Sequence, residues 1–174
     1  MEPNGTTWVV LGLLAHSPKS GYEIKQIVDR STRYFWAASY GQIYPELRRL
    51  EEEGLVEGES APTGGRKRRI FKITAAGREA LRAWLHGRET RMEMRDESLL
   101  RLFFADVLPR DEALALLRGR AHGFGQALEQ LQTIAARPGV DPPFVDLALR
   151  WGLDYCEWAV DWCRRQEQRL RQAA

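Results

Sequence analysis

Two helix-start signals of the same construction, at Ser20 and at Ser39, constrain the fold of this chain more than any other feature. SGYE begins at the first and SYGQ at the second. In each, a serine is followed three residues later by Glu or Gln. In this capping box, two side chains reciprocally satisfy backbone N–H groups that a helix start leaves free. Behind Ser20, the residues Tyr22, Ile24, Ile27 and Val28 recur at helical spacing, and behind Ser39 a stripe of Ile43, Leu47 and Leu50 runs at i, i+4, i+7. An apolar segment from Thr6 to His16, stopped by Ser17-Pro18, reads as a third, buried helix ahead of them.

A hairpin and a fourth helix complete the unit. Gly54 suits the end of the Ser39 helix. Pro45 lies inside that helix, where proline removes one backbone hydrogen bond at a cost of about 3 kcal/mol; a helix from about Ser39 with an irregular front turn is expected. Leu55 to Glu59 reads as a short strand, Ala61 to Gly65 as a turn cluster and Arg68 to Ile73 as the returning strand. Thr74 then caps a helix whose apolar residues are Leu81, Trp84 and Leu85. Helix, helix, helix, hairpin, helix is the order of a winged helix-turn-helix domain with a two-stranded wing. A mainly α fold is expected, with this domain over residues 1–87.

Residues 88–174 differ in character. The charged Glu89 to Glu97 forms a joint, and Ser98 to Leu108 reads as a helix. Pro109 opens the next helix, whose seam is Leu114, Leu117, Ala121, Phe124, Leu128, Leu131 and Ala135, in steps of three and four. Arg137-Pro138-Gly139 breaks it, Asp141 caps and Pro142 starts the last helix, whose seam is Phe144, Ala148, Trp151, Tyr155, Trp158 and Trp162. The short connection makes the two long helices antiparallel. Phe144, Trp151, Tyr155, Trp158 and Trp162 either pack on the preceding helix or face a second copy of the chain. So many rings in a row exceed what a two-helix hairpin needs, which favours a dimerisation surface. Flat rings between subunits would also suit a small aromatic effector.

The net charge of the 174 residues is only +2, so its distribution matters more than its sum. Between Ser60 and Arg78 the chain carries Arg66, Lys67, Arg68, Arg69, Lys72 and Arg78 with no acid. No apolar run approaches the roughly 18 residues of a membrane helix, and Trp8 to Ala15 is too short and lacks a basic leader for a signal peptide. A cytoplasmic protein with no membrane partner is expected. The histidines His16, His86 and His122 are scattered, and no HExxH, GxSxG or glycine-rich phosphate loop occurs. No enzyme, cofactor or metal site is therefore expected. Cys156 and Cys163 lie two helical turns apart, about 10.5 Å, too far for an intrahelical bridge. They are either small buried side chains or an inter-subunit redox pair.

The Ser39 helix is oddly charged. Its front is polar and uncharged (Ser39, Tyr40, Gln42, Tyr44), its middle basic (Arg48, Arg49) and its end acidic (Glu51 to Glu53), although a helix C-terminus favours cations. Double-stranded DNA explains the order: phosphates need cations and base edges need hydrogen-bonding side chains. The hairpin tip offers Arg66, Lys67 and Arg68; the helix front offers the polar side chains, and the acids sit at the end away from phosphate. Tyr22 and Lys25, early in the second helix, would touch the backbone. Each has a plainer alternative. Gln42 could serve only its capping box, Tyr40 could be half-buried and Tyr22 core. Arg48 and Arg49 could form surface ion pairs worth little.

The runs LGLLAHSPKSGYEIKQIV, GQIYPELRRLEEEGLVEGE and GGRKRRIFKITAAGREALRAWL strongly resemble the PadR family of bacterial transcriptional regulators, over about residues 8–86. Phe71 stands where many members have Tyr. The resemblance implies a homodimer with an N-terminal winged helix and a C-terminal helical dimerisation domain of the longer-tailed subgroup. It makes Ser39 to Glu53 the recognition helix and lays the wing on phosphate. The function expected is a sequence-specific repressor on a near-palindromic operator; some members respond to small molecules, and release by such an effector is expected here, although no motif in this chain carries one over. Two rival functions are a winged-helix protein-interaction module and a helical ligand or redox sensor that does not bind DNA.

Overall fold

The computed structural model describes residues 4–61, 68–87, 95–137 and 142–172. The chain divides into two compact units, Met1–Arg91 and Met92–Ala174.

The first unit runs α1 (Gly5–His16), β1 (Lys19–Ser20), α2 (Gly21–Val28), a 3-10 turn (Thr32–Tyr34), α3 (Tyr40–Glu52), β2 (Val56–Ala61), β3 (Arg68–Ile73) and α4 (Ala75–Leu85). Both serine caps form. Ser20 N–H donates to the Glu23 carboxylate at 2.8 Å, and Ser39 N–H to Gln42 Oε1 at 2.9 Å. A third capping box heads α1: Asn4 Oδ1 accepts from the Thr6 and Thr7 N–H groups, and Thr7 Oγ1 accepts from Asn4 N–H. Each helix turns one face inward, and Val10, Leu11, Leu14, Ile24, Val28, Ile43, Leu47, Leu50, Val56 and Phe71 form one core. Each such side chain contributes about 1.5–3 kcal/mol when fully buried.

The irregular front turn expected in α3 does not occur. The helix is continuous from Tyr40 through Pro45. The carbonyl that Pro45 leaves without a donor is that of Gly41, four residues back, at an exposed position open to water. At the other end Leu55 N–H reaches the Leu50 carbonyl and Gly54 N–H that of Glu51. With Gly54 at φ 70°, this is a Schellman stop, and it sends the chain directly into β2.

The wing sheet has three strands where two were expected, in the order β1-β3-β2, all antiparallel. Ser20 pairs with Ile70 while also capping α2, and a two-residue strand carries no periodicity to read. β2 also runs beyond Glu59 to Ala61. Thr74 caps α4 as expected, accepting from Gly77 N–H at 3.1 Å, and donates to the Gly54 carbonyl at 2.8 Å. A Cβ at Gly77 would stand 2.1 Å from the Leu55 carbonyl oxygen, so only glycine admits this approach. Of the apolar residues expected inside α4, Leu81 packs on the core, Trp84 stacks on Trp8 at 5.0 Å, and Leu85 is exposed.

The second unit runs α5 (Glu97–Phe103), a 3-10 turn (Ala105–Val107), α6 (Arg110–Ala135) and α7 (Pro143–Gln172). The helix expected over Ser98 to Leu108 is shorter and starts earlier, because Asp96 caps it through Leu99 N–H at 3.0 Å. The carbonyl of Pro142 accepts from Val145 and Asp146 N–H, so α7 proper starts at Pro143; Asp141 lies outside the described residues. Arg118 near the start of α6 pairs with Glu167 near the end of α7 at 2.8 Å, and Leu131 meets Gly152, so the two helices are antiparallel. Arg120, almost fully buried, pairs with Asp96 at 2.6 Å and ties α5 to α6. Burial raises the pKa of the Asp96 carboxyl, but hydrogen bonds from Ser98, Leu99 N–H and Arg120 outweigh it and hold the pKa below the usual value.

Candidate nucleic-acid interface

α3 presents two chemically distinct faces. Ile43, Glu46, Leu47 and Leu50 are buried, while Ser39, Tyr40, Gly41, Gln42, Tyr44 and Arg48 face solvent. Tyr40 and Tyr44 are each 42% exposed and stack on one another at 6.1 Å. Tyr40 is thus about half covered, as its alternative had it, and still keeps open surface for a contact. Gln42 closes its capping box through Oε1, which leaves its amide N–H groups for an outside acceptor. Arg48 makes no ion pair among the described residues, so the exposed face carries an uncompensated cation behind a polar tip.

α2 joins the same surface. A Cβ on Gly21 would stand 2.8 Å from the Tyr44 ring, so Tyr44 lies directly on the start of α2. Tyr22 is exposed, and its hydroxyl accepts from the Gln26 amide at 3.2 Å; the core alternative for Tyr22 fails. Lys25 is ion-paired with Asp29 and lies over the Tyr40 ring, 5.5 Å from its centroid. Its charge is thus partly spent within α2. Lys25, Tyr40 and Tyr44 make one cluster at the junction of α2 and α3, and Tyr22 is exposed on α2 next to Gly21, which Tyr44 covers.

Arg49 is no surface partner. It binds Glu46 at 2.5 Å, Glu53 at 2.7 Å and Thr7 Oγ1 of α1 at 3.1 Å, and Thr7 in turn donates to Glu46 Oε1 at 2.6 Å. Glu46 is only 7% exposed. Burial raises its pKa, but the hydrogen bonds from Arg49 and Thr7 and the charge of Arg49 prevail, holding the carboxyl below the usual range. The network bolts α3 to α1 along the flank of α3 that begins with Gln42, beside the polar tip.

The acidic tail of α3 also has internal work. Glu51 Oε1 accepts from Gly58 N–H of β2 at 2.9 Å and from Arg69 Nη2 of β3 at 2.6 Å. Lys72 pairs across the sheet with Glu59 at 2.9 Å, and Arg78 donates to the Ala15 carbonyl at 3.2 Å. The acid-free run from Ser60 to Arg78 is therefore less basic in space than in sequence, because acids from before Ser60 fold against it. Arg66 and Lys67 lie outside the described residues. The backbone of Arg68 opens β3, and its side chain is likewise outside them.

In the second unit α7 buries Gly152, Cys156, Ala159, Val160 and Cys163, a stripe of small residues beside the aromatic one. The core-packing alternative is thereby corrected for Phe144, which is 83% exposed, and for Trp151 and Trp158, which are also exposed. Tyr155 and Trp162 are half-buried. Trp151, Tyr155, Trp158 and Trp162 contact in series at 5.3, 6.0 and 6.4 Å, and Tyr155 meets Phe124 of α6 edge-on at 5.7 Å. Burial pushes the pKa of both thiols up, away from the thiolate that redox sensing needs. No cluster of His, Cys, Asp and Glu suited to a metal occurs among the described residues.

Comparison with known proteins matches this geometry. The family model described as the transcriptional regulator PadR-like family matches residues 10–83, and one described as virulence activator alpha C-term matches residues 94–171. The negative transcriptional regulator PadR of Bacillus subtilis is 31% identical over 127 residues, covering 72% of this chain and 70% of that protein. The chain belongs to the PadR-like family of transcriptional regulators. The crystal structure of Bacillus subtilis PadR in complex with operator DNA matches with a TM-score of 0.84 at 27% identity, over 96% of this chain and 99% of that one. The same protein in complex with p-coumaric acid matches at 0.75 and 26%, over 98% and 99%.

The PadR-like match runs from α1 through α4, so it contains the whole α2–α3 cluster and the wing. Sequence reasoning expected the arginines of α3 to pair with Glu46 or Glu51 to Glu53 only on the surface; it missed Thr7, the burial of Glu46 and the reach of Glu51 to the wing. Glu51 did leave a signal, since an acid in the last turn of a helix opposes the macrodipole and implies donors from elsewhere.

Proposed function

We propose that this PadR-like regulator acts as a homodimeric repressor that seats two copies of α3 on a near-palindromic operator and is released by a small aromatic effector. Ser39, Tyr40, Gln42 and Tyr44 enter the major groove tip first, led by the positive end of the helix dipole. Arg48, Tyr22 and Lys25 lie against the sugar-phosphate backbone, and Arg66, Lys67 and Arg68 of the wing tip take phosphates on the flank. Phe144, Trp151, Tyr155, Trp158 and Trp162 cover one another's counterparts in the second copy, which puts the two reading heads one helical turn of DNA apart, about 34–36 Å. Residues 1–87 form the DNA-binding domain and 88–174 the dimerisation domain. The protein works in the cytoplasm and has no catalytic role; no helix among its described residues is long and apolar enough to cross a membrane.

One observation carries this reading: the polar tip of α3 is left exposed while the Ile43, Leu47 and Leu50 face is fully buried and one flank is bolted to α1. Selection of bound sites from random duplex DNA tests it. An enriched, inverted-repeat site with half-sites about 10 base pairs apart is the expected result. Recovery of no enriched sequence, or of a single unrepeated half-site, would refute the dimeric operator.

A further inference from the structure

Glu51 stands where the reading helix and the wing meet. Its carboxylate oxygen holds two partners at once, Gly58 N–H on β2 and the Arg69 guanidinium on β3. The guanidinium also lies over the Phe71 ring, 5.4 Å from its centroid, and Phe71, like Val56, is a wing residue buried in the core. The pocket is filled: a Cβ at Gly58 would meet Glu51 Oε1 at 2.7 Å, Arg69 Nε at 2.8 Å and Phe71 Cε1 at 2.9 Å. Gly58 pairs with Phe71 in the sheet register, so the glycine leaves room for carboxylate, guanidinium and ring to converge. No other side-chain hydrogen bond between α3 and the two wing strands occurs among the described residues.

We propose that Glu51 is a positioning residue for operator recognition: it sets the angle of the wing against α3 so that both reach DNA together, and it keeps the charge of Arg69 compensated until they do. This rests on the DNA-binding reading above. The acid that is wrong for the helix dipole is thus right for the domain. Its charge cancels that of Arg69, which otherwise would grip any phosphate regardless of sequence.

The two effects of removing Glu51 have opposite signs, and a purely structural role would not produce both. In Glu51→Ala the wing loses its fixed angle, so affinity for the selected operator falls roughly tenfold, the worth of one charge-assisted hydrogen bond at a partly exposed site. Arg69 is released, so affinity for random duplex rises, and its log K against log salt slope steepens by about 0.9, one more phosphate neutralised. Glu51→Gln keeps an acceptor for Gly58 N–H and Arg69 but not the charge, so it restores operator affinity while affinity for random duplex stays raised. Arg69→Ala lowers operator affinity without raising that for random duplex.

The test measures the operator-to-random affinity ratio for the full-length wild type and these three variants, alongside hydrogen exchange of the Gly58 amide in the free protein. Faster exchange and a collapsed ratio in Glu51→Ala, with near-wild-type exchange and an intermediate ratio in Glu51→Gln, is the expected result. Faster exchange with an unchanged ratio would overturn the positioning role while leaving DNA binding intact. A wild type that does not prefer any duplex over random sequence would sink both.

Discussion

The bolt between α1 and α3 gives the sharpest stability test. In Glu46→Gln the side chain keeps its shape and Oε1, which still accepts from Thr7 and Arg49 Nη2. The second oxygen, which accepts from Arg49 Nε at 3.2 Å, becomes an amide donor facing a donor. Arg49 is then left with Glu53, at 2.7 Å, as its only full countercharge. Losing one charge-assisted hydrogen bond and weakening another at a nearly buried site costs about 2–3 kcal/mol. Full loss of a buried partner would cost about 3–5 kcal/mol, and Glu53 keeps the figure below that. Native-state hydrogen exchange at the amides of Leu11, Ile43 and Leu47 reads the first unit by itself. At pH 7 these amides should exchange roughly 30- to 150-fold faster than in wild type. The pH dependence adds a signature. The folded-state pKa of Glu46 is depressed, so its contribution is complete above the unfolded carboxylate value of about 4.3. That contribution is lost as pH falls through the lower folded value. The difference in urea midpoint between wild type and Glu46→Gln should therefore shrink below about pH 4. Exchange within twofold of wild type at pH 7, or a difference that widens on acidification, would refute the reasoning.

Arg48→Ala should flatten the salt dependence of operator binding by about 0.9 in log–log slope without altering thermal stability, because Arg48 has no ion-pair partner among the described residues to lose; filter binding across a salt series checks this. Trp158→Ala should weaken the dimer, read by sedimentation at falling protein concentration, and an unaltered dimer would remove this ring from the interface. Gly77→Ala should destabilise the winged unit by about 2 kcal/mol or more, since the added Cβ meets a backbone carbonyl at 2.1 Å and overpacking against backbone has no cheap relief; urea denaturation measures it.

Much of the fold was legible because its signals are local. The caps at Ser20, Ser39 and Thr74 each involve residues three apart, and the stripe Ile43, Leu47, Leu50 follows from helical geometry alone. The polar tip of α3 was legible for the same reason: once the stripe points inward, Tyr44 and Arg48 must point outward. The illegible parts depend on residues far apart. β1 exists only because Lys19 and Ser20 find Phe71 and Ile70. Which face of α7 turns inward could not be read from hydrophobicity, which favours the rings; its buried stripe is Gly152, Cys156, Ala159, Val160 and Cys163. Close antiparallel packing against α6 selects small side chains, and the larger rings remain at its edge.

By itself, the sequence determined the order of the long helices, the caps of α2, α3 and α4, and the polar front of α3, all consequences of backbone geometry within a few residues. Only the tertiary structure decided what the charges do. Glu46, Glu51, Arg49, Arg69 and Lys72 look like a solvated mixture along the chain, yet in space each meets a chosen partner. The physical reason is that the energy of a charge depends on its distance to other charges and on its burial, and neither is written in the spacing of residues along the chain.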